Sequence, residues 1–346
     1  MEPLYLGLSV LISLLMSATL VRSETGVSKS SCHFPAIFNF GDSNSDTGGL
    51  SAAFGQAPYP NGETYFHTPS GRFSDGRLIV DFIAESLGLP YLSSYLDSLG
   101  SNFSHGANFA TAGSTIRPQN TTISQSGYSP ISLDVQYVQF SDFRKRSQNI
   151  RKQGGLFGTS LPKEEDFSQA LYTFDIGQND LTAGPVGCLP YVLDRYLITA
   201  AQIDKHGCAT PFNDVAQHFN QRLKSALAQL RKELPLAAIT YVDVYSVKYT
   251  LISQAKKYGF ENPLVACCGH GGKYNYNRYN KCGSKKTING EEIVIAKSCS
   301  NPMVKINWDG VHFTEAANKR IFNQIANGFF SDPPIPLRMS CHATGL

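Results

Sequence analysis

The chain has 346 residues, 42% of them hydrophobic, and a formal net charge of +3. That is enough apolar material for one large globular domain with its own core. Lys and Arg are scattered, which gives no signal for nucleic acid or an acidic ligand, and the run Arg144-Lys145-Arg146 reads as a solvated helix face.

Leu4 to Leu20 form an apolar stretch followed by Val21-Arg22-Ser23-Glu24. This pattern predicts a secretory signal peptide over 1–23, cut near Ser23, and a single domain over 24–346. The residues before the stretch lack Lys and Arg, so an uncleaved membrane anchor is the alternative. No later stretch is long and apolar enough to span a bilayer. Ala36-Ile37-Phe38-Asn39-Phe40 reads as a strand that opens into a Gly- and Asp-rich turn. Asp75 can cap a helix running to about Leu87 with Gly88 as its stop, and Ile79, Phe82 and Ile83 would face the core. Residues 131–152 read as a longer helix. Leu171 to Ile176 reads as a buried strand ending in Gly177-Gln178-Asn179-Asp180. Phe212, Val215, Ala216, Phe219, Leu223, Ala226, Leu227 and Leu230 keep helical spacing up to Pro235, and Ala238 to Tyr245 reads as another strand. Thr314 can cap a last helix carrying Ala317, Ile321, Ile325 and Phe329. Strands alternating with helices argue for a parallel sheet covered on both faces, and no internal repeat interrupts them.

Eight cysteines suit a secreted protein: Cys32, Cys188, Cys208, Cys267, Cys268, Cys282, Cys299 and Cys341. Cys267, Cys268, Cys282 and Cys299 lie in a Gly- and Asn-rich segment that cannot build a core alone, so bridges there would hold a loop beside His312. Zinc binding is the alternative, and the absence of any Cys-x-x-Cys pair argues against it. Asn102-Phe103-Ser104 and Asn120-Thr121-Thr122 are glycosylation acceptors at Asn102 and Asn120.

Ser43 sits at the carboxyl end of the first strand, where open α/β sheets place their ligands. A serine hydroxyl becomes a nucleophile when a neighbouring base takes its proton. His312 can be that base, and Asp309, three residues earlier, can orient it. Acyl transfer also needs fixed donors around the developing oxyanion. Gly113 offers a backbone N–H unobstructed by a side chain, Asn179 an amide after a neighbouring strand, and Ser43 its own N–H. Taken singly, each of these residues is consistent with ordinary turn chemistry. Together they predict a serine ester hydrolase.

The blocks Phe38 to Gly49, Gly71 to Arg77, Gly106 to Ser114, Gly177 to Asp180, Cys267-Cys268-Gly269 and Trp308 to His312 closely resemble the plant GDSL esterase/lipase family of the SGNH hydrolases. The resemblance is greatest to its secreted early-nodulin-like and acetylesterase-like branch. It implies a three-layer α/β/α, flavodoxin-like parallel sheet, a Ser43–His312–Asp309 triad, and Gly113 and Asn179 as oxyanion donors. It also implies an acyl-enzyme mechanism with no metal or organic cofactor, a small-molecule ester as substrate, and an extracellular location. No long apolar lid is evident, which favours short acyl esters.

The chain departs from the family at one place. Members run from Gly-x-Asn-Asp through a helix and another strand before Gly-Pro-x-Gly-Cys-Leu-Pro. Here Thr182-Ala183-Gly184 leads straight into Pro185-Val186-Gly187-Cys188-Leu189-Pro190. A parallel neighbour needs a crossover of about a dozen residues, so one helix–strand unit is expected to be missing after Gly184. Its loss leaves a gap beside 171–176 or forces 238–245 to pair there, and either change can shift the Asp309–His312 loop relative to Ser43. Two rival functions follow. One is a catalytically silent secreted binding protein. The other is a glycosidase, which needs two carboxylates flanking a sugar bond, Asp42 and Asp309 being available.

Overall fold

The structure, a computed structural model, describes residues 31–118, 129–181, 187–196 and 198–342. The expected signal peptide, the acceptor Asn120 and the junction around Gly184 lie outside them. Asn102 is exposed, as are Arg144, Lys145 and Arg146.

The chain begins with β1 (Ile37–Gly41), α1 (Gly49–Phe54), α2 (Ile79–Ser86), β2 (Gly106–Asn108) and α3 (Leu133–Gln153). Then come α4 (Glu164–Gln169), β3 (Leu171–Asp175), α5 (Pro190–Arg195), α6 (Thr210–Glu233), β4 (Tyr241–Val242) and α7 (Val244–Ser253). The hairpin β5 (Lys285–Ile288) and β6 (Glu291–Val294), helix α8 (Glu315–Ile325) and β7 (Ser331–Asp332) complete it.

The expected parallel α/β sheet is present, in the order β2-β1-β3. Every residue of β1 is buried, because its side chains alternate between two cores. Ile37 packs with Leu78, Val80 and Ala84 on one face. Phe38 and Phe40 pack with Phe109, Phe143 and Phe167 on the other. Gly41 permits the close approach of β1 to β3, since a Cβ there would lie 2.4 Å from the Asp175 carbonyl oxygen.

β3 departs from the expected buried strand. It follows β1 in register from Ile37↔Leu171 to Gly41↔Asp175, and no strand pairs with its other edge among the described residues. Phe174 is 63% exposed. With Tyr172, Phe40, Ile116, Leu133, Tyr137 and Phe140 it lines an open apolar cavity of about 500 Å³. The segment 238–245 does not move in to fill the gap. It contributes only β4, which pairs antiparallel with β7, and α7 begins at Val244, with Asp243 Oδ1 accepting the Ser246 N–H at 3.0 Å. Without a parallel neighbour, Ala238 to Thr240 have no ladder to join.

α6 shows a similar mismatch between pattern and burial. Its periodicity correctly marks a helix, yet of the eight apolar stripe residues only Ala216 is buried, while Val215, Leu223, Ala226 and Leu230 are exposed. Spacing sets helical shape, but burial needs a facing surface. Two further boundaries shift. The helix expected from Asp75 starts at Ile79, because Asp75 is engaged with Glu315 and the Asp81 carboxylate instead accepts the Leu78 N–H at 2.8 Å. Thr314 caps α8 as expected, accepting the Ala317 N–H at 3.2 Å, but Phe329 falls beyond the helix end and is exposed.

Covering the open side of β3 is expected to stabilise the molecule. Insertion of a helix–strand unit from a GDSL relative after Gly184 should raise Tm by several degrees, each kcal/mol gained moving Tm by about 1–2 °C in a domain of this size. Thermal melts and light scattering of both forms test this. Equal Tm and equal aggregation would show that the exposed edge carries no penalty.

Candidate active site

Asp309 and His312 are brought together as expected. The Asp309 Oδ2–His312 Nδ1 distance is 2.7 Å, and Asp309 Oδ1 accepts the backbone N–H groups of His312 at 2.8 Å and Val311 at 3.0 Å. A carboxylate can only accept, so Nδ1 carries the proton and Nε2 is left as the basic nitrogen. Burial opposes ionisation of Asp309, but the adjacent His312 charge and these hydrogen bonds outweigh it and hold the carboxyl below its ordinary value. Gly310 makes the tight turn possible. Its φ is +98°, and a Cβ there would strike the Tyr276 ring at 2.1 Å.

His312 Nε2 is buried and has no hydrogen-bond partner. The Ser43–His312 hydrogen bond is therefore not made, and such catalytic bonds commonly tighten only in the substrate complex. The imidazole lies against the Phe73 ring, with centroids 5.4 Å apart.

Ser43 is 4% exposed at the end of β1. Gly113 adopts φ +79° in the loop after β2. Asn179, after β3, donates from Nδ2 to the Ser114 carbonyl at 2.8 Å. The two expected oxyanion donors thus lie on adjoining segments, and one Asn179 N–H is already engaged by the neighbour of Gly113.

The His312 loop is held from two sides. Cys267 and Cys268 donate backbone N–H groups to the carbonyls of Asn307 and Trp308 at 2.9 and 2.6 Å. These cysteines are bridged to Cys299 and Cys282, so the expected clamp beside His312 exists. The remaining bridges join Cys32 to Cys341 and Cys188 to Cys208. On the other side, Asn61 Oδ1 accepts the Trp308 indole N–H at 2.9 Å and Ser74 Oγ donates to the Phe313 carbonyl at 3.0 Å.

Sequence reasoning treated Asp42 only as a possible glycosidase carboxylate and missed its neighbours. Asp42 is fully buried, and its Oδ2 has no hydrogen-bond partner. Burial raises its carboxyl to about 7. Asp175 pushes the same way, while hydrogen bonds from Asn44 and the charge of Lys248 oppose the rise. Lys248, on α7, is itself 2% exposed, with its ammonium 4.9 Å above the Phe313 ring. It therefore lies between the serine turn and the histidine loop. A lysine at that spacing reads as surface in the sequence, and no local pattern marks it as buried.

Residues 37–325 match the model of the family described as GDSL-like Lipase/Acylhydrolase. The chain belongs to that family. It is 62% identical to an Arabidopsis thaliana GDSL esterase/lipase over 353 aligned positions, covering 90% of this chain and 93% of the relative. It is 50% identical to a Hevea brasiliensis protein named Esterase over 371 positions, covering 95% and 94%. It is 56% identical to Arabidopsis thaliana Alpha-L-fucosidase 3 over 339 positions, covering 86% and 91%. The chain is thus a hydrolase of the GDSL type. An alignment of 353 positions that draws on 90% of 346 residues leaves about 40 positions filled by the relative alone, the length of a helix, a strand and their turns.

Asp42 gives the site a pH signature. Its folded value of about 7 exceeds the ordinary 3.8. The folded state therefore holds a proton that the unfolded chain releases, and this contribution to stability is full below the ordinary value and declines as pH rises toward 7. Asp42→Asn removes the term. The Tm of the variant relative to the parent should rise between pH 4 and 7 and then level, as measured by melts across that range. A difference independent of pH would show that Asp42 ionises normally.

Proposed function

We propose that this chain is a secreted serine hydrolase of carboxylic esters with short acyl groups, acting through a Ser43–His312–Asp309 triad. The observation that carries the reading is the part-buried Asp309–His312 pair, whose 2.7 Å contact leaves Nε2 basic and unpartnered. Ser43 Oγ attacks the ester carbonyl as Nε2 takes its proton. The tetrahedral oxyanion is met by the N–H groups of Ser43 and Gly113 and the Asn179 amide. His312 returns the proton to the departing alcohol, leaving an acyl-serine. Water, deprotonated by His312, then releases the acid and restores Ser43.

Secretion is supported by four disulfides among the described residues. We infer that the roughly 40 unmatched positions fall after Gly184, where the sequence runs straight into Pro185 to Pro190. The fucosidase name of one relative raises the glycosidase reading again, but both Asp309 oxygens here are occupied by His312 and Val311. A silent binding protein would leave Ser43 inert.

An organophosphonate probe separates these outcomes, because it labels only an activated serine. The parent should be labelled on Ser43 and hydrolyse p-nitrophenyl acetate, with no action on p-nitrophenyl fucoside. Ser43→Ala and His312→Ala should each abolish ester turnover with Tm nearly unchanged, because the two groups act as a unit. Half the parental activity in Ser43→Ala would refute the nucleophile assignment.

Asn179→Ala should lower kcat by about 100–1000-fold. A change confined to KM would show instead that the amide only binds substrate.

A further inference from the structure

The turn carrying Asn179 stands in an unusual position. It follows β3, which is hydrogen-bonded to β1 on one edge and to no described strand on the other. Backbone ladders therefore frame this turn from one side alone. What fixes its distance from Ser43 is a small set of cross-turn hydrogen bonds. The Asp42 N–H donates to the Asp175 carbonyl at 3.1 Å. The Asp180 carboxylate accepts the Ile116 N–H at 3.1 Å. Between them lies a side-chain chain that starts on the residue after Ser43. Asn44 Nδ2 donates to Asp42 Oδ1 at 2.9 Å and to Gln178 Oε1 at 3.0 Å, while the Asn44 backbone N–H also donates to Asp42 Oδ1, at 3.0 Å.

We propose that Asn44 is a positioning residue that sets the spacing of the Ser43 and Asn179 turns by bridging Asp42 to Gln178. The inference rests on the reading of Ser43 as nucleophile and Asn179 as oxyanion donor.

The chemistry of the bridge selects an asparagine. Asp42 Oδ1 accepts the Asn44 backbone N–H and, with any proton on the unpartnered Oδ2, remains an acceptor, so the Asn44 nitrogen faces it. The two hydrogens of that nitrogen serve both partners at once. The carbonyl end of Gln178 must then face Asn44, because the reverse orientation would set one NH₂ group against another. Gln178 is 4% exposed, and its Nε2 is buried without a hydrogen-bond partner. An amide held in that orientation at the expense of its own donor end shows that the bond to Asn44 decides its placement. Alanine at position 44 would remove the side-chain links to both Asp42 and Gln178.

The bridge matters because transition-state stabilisation is steep in geometry. A misplacement of about 1 Å can lower a rate by about 100-fold. Loss of the bridge lets the Asn179 turn relax toward the open side of β3, away from the oxyanion. Substrate need not be touched, so the effect belongs in kcat.

The test uses the full mature chain, p-nitrophenyl acetate, and phosphonate titration to count active serines. Asn44→Ala and the size-matched Gln178→Met should each lower kcat per titrated serine by about 10–100-fold, with KM within about twofold of the parent. The double variant should be no worse than the poorer single one, because both break the same bridge. In an Asn179→Ala background, Asn44→Ala should lose most of its effect. A labelled, active parent in which either folded single variant keeps full kcat, or in which the two losses multiply, overturns the bridge while leaving the triad standing. A parent that the phosphonate does not label overturns both readings.

Discussion

The position of His312 depends on hydrogen bonds from the segment Asn61–Arg77 to the chain on either side of it. Asn61 holds the Trp308 indole and Ser74 holds the Phe313 carbonyl. Asp75 Oδ1 accepts the Glu315 N–H at 2.7 Å, and Arg77 pairs with the Glu315 carboxylate at 2.7 Å. Glu315 is the first residue of α8, so the helix and the loop before it are fixed to one rigid segment. Burial makes these bonds consequential, because a buried donor or acceptor left unpaired costs about 1–3 kcal/mol. None of them involves β3. The histidine loop is therefore anchored independently of β3, whereas the Asn179 turn follows directly from β3, which pairs with β1 alone among the described strands.

This division separates what the sequence made legible from what it did not. The Ser43 turn, the Asp309–His312 pair and the cysteine clamp are local or carry strong residue-type signals, and all lie where the spacing suggested. The parallel sheet follows from the apolar run at β1 and the alternation of elements after it. The errors concern partners rather than shapes. Leu171 to Asp175 is a strand and Thr210–Glu233 a helix, as their patterns imply, but neither buries the face its pattern offers. Burial is a property of two surfaces, and a one-dimensional pattern reports only one of them. Asp75 shows the same limit at a single residue. Its type suits a helix cap, and it does meet a helix N-terminus, but that of α8, 240 residues away in sequence.

Electrostatics place a further demand on the serine turn. Asp42 is buried beside Asp175, and the buried Lys248 supplies the opposing charge. A carboxyl in such surroundings prefers its neutral form, whereas the Asn44 hydrogen bonds favour the ionised one. The turn that presents Ser43 is thus balanced between two protonation states close to neutrality.

The bridge between Cys32 and Cys341 joins positions 309 residues apart and so closes nearly the whole domain into a covalent ring. The ring contains β1 with Ser43, β3 with Asn179 and the loop with His312. A protease that cuts one exposed loop inside it converts a ring into a single open thread, not into two separable pieces. Ser43, Asn179 and His312 remain on one molecule after such a cut, held by a bond that neither heat nor dilution severs. Clipping and disassembly are therefore separate events in this protein, and the second waits on a reductant.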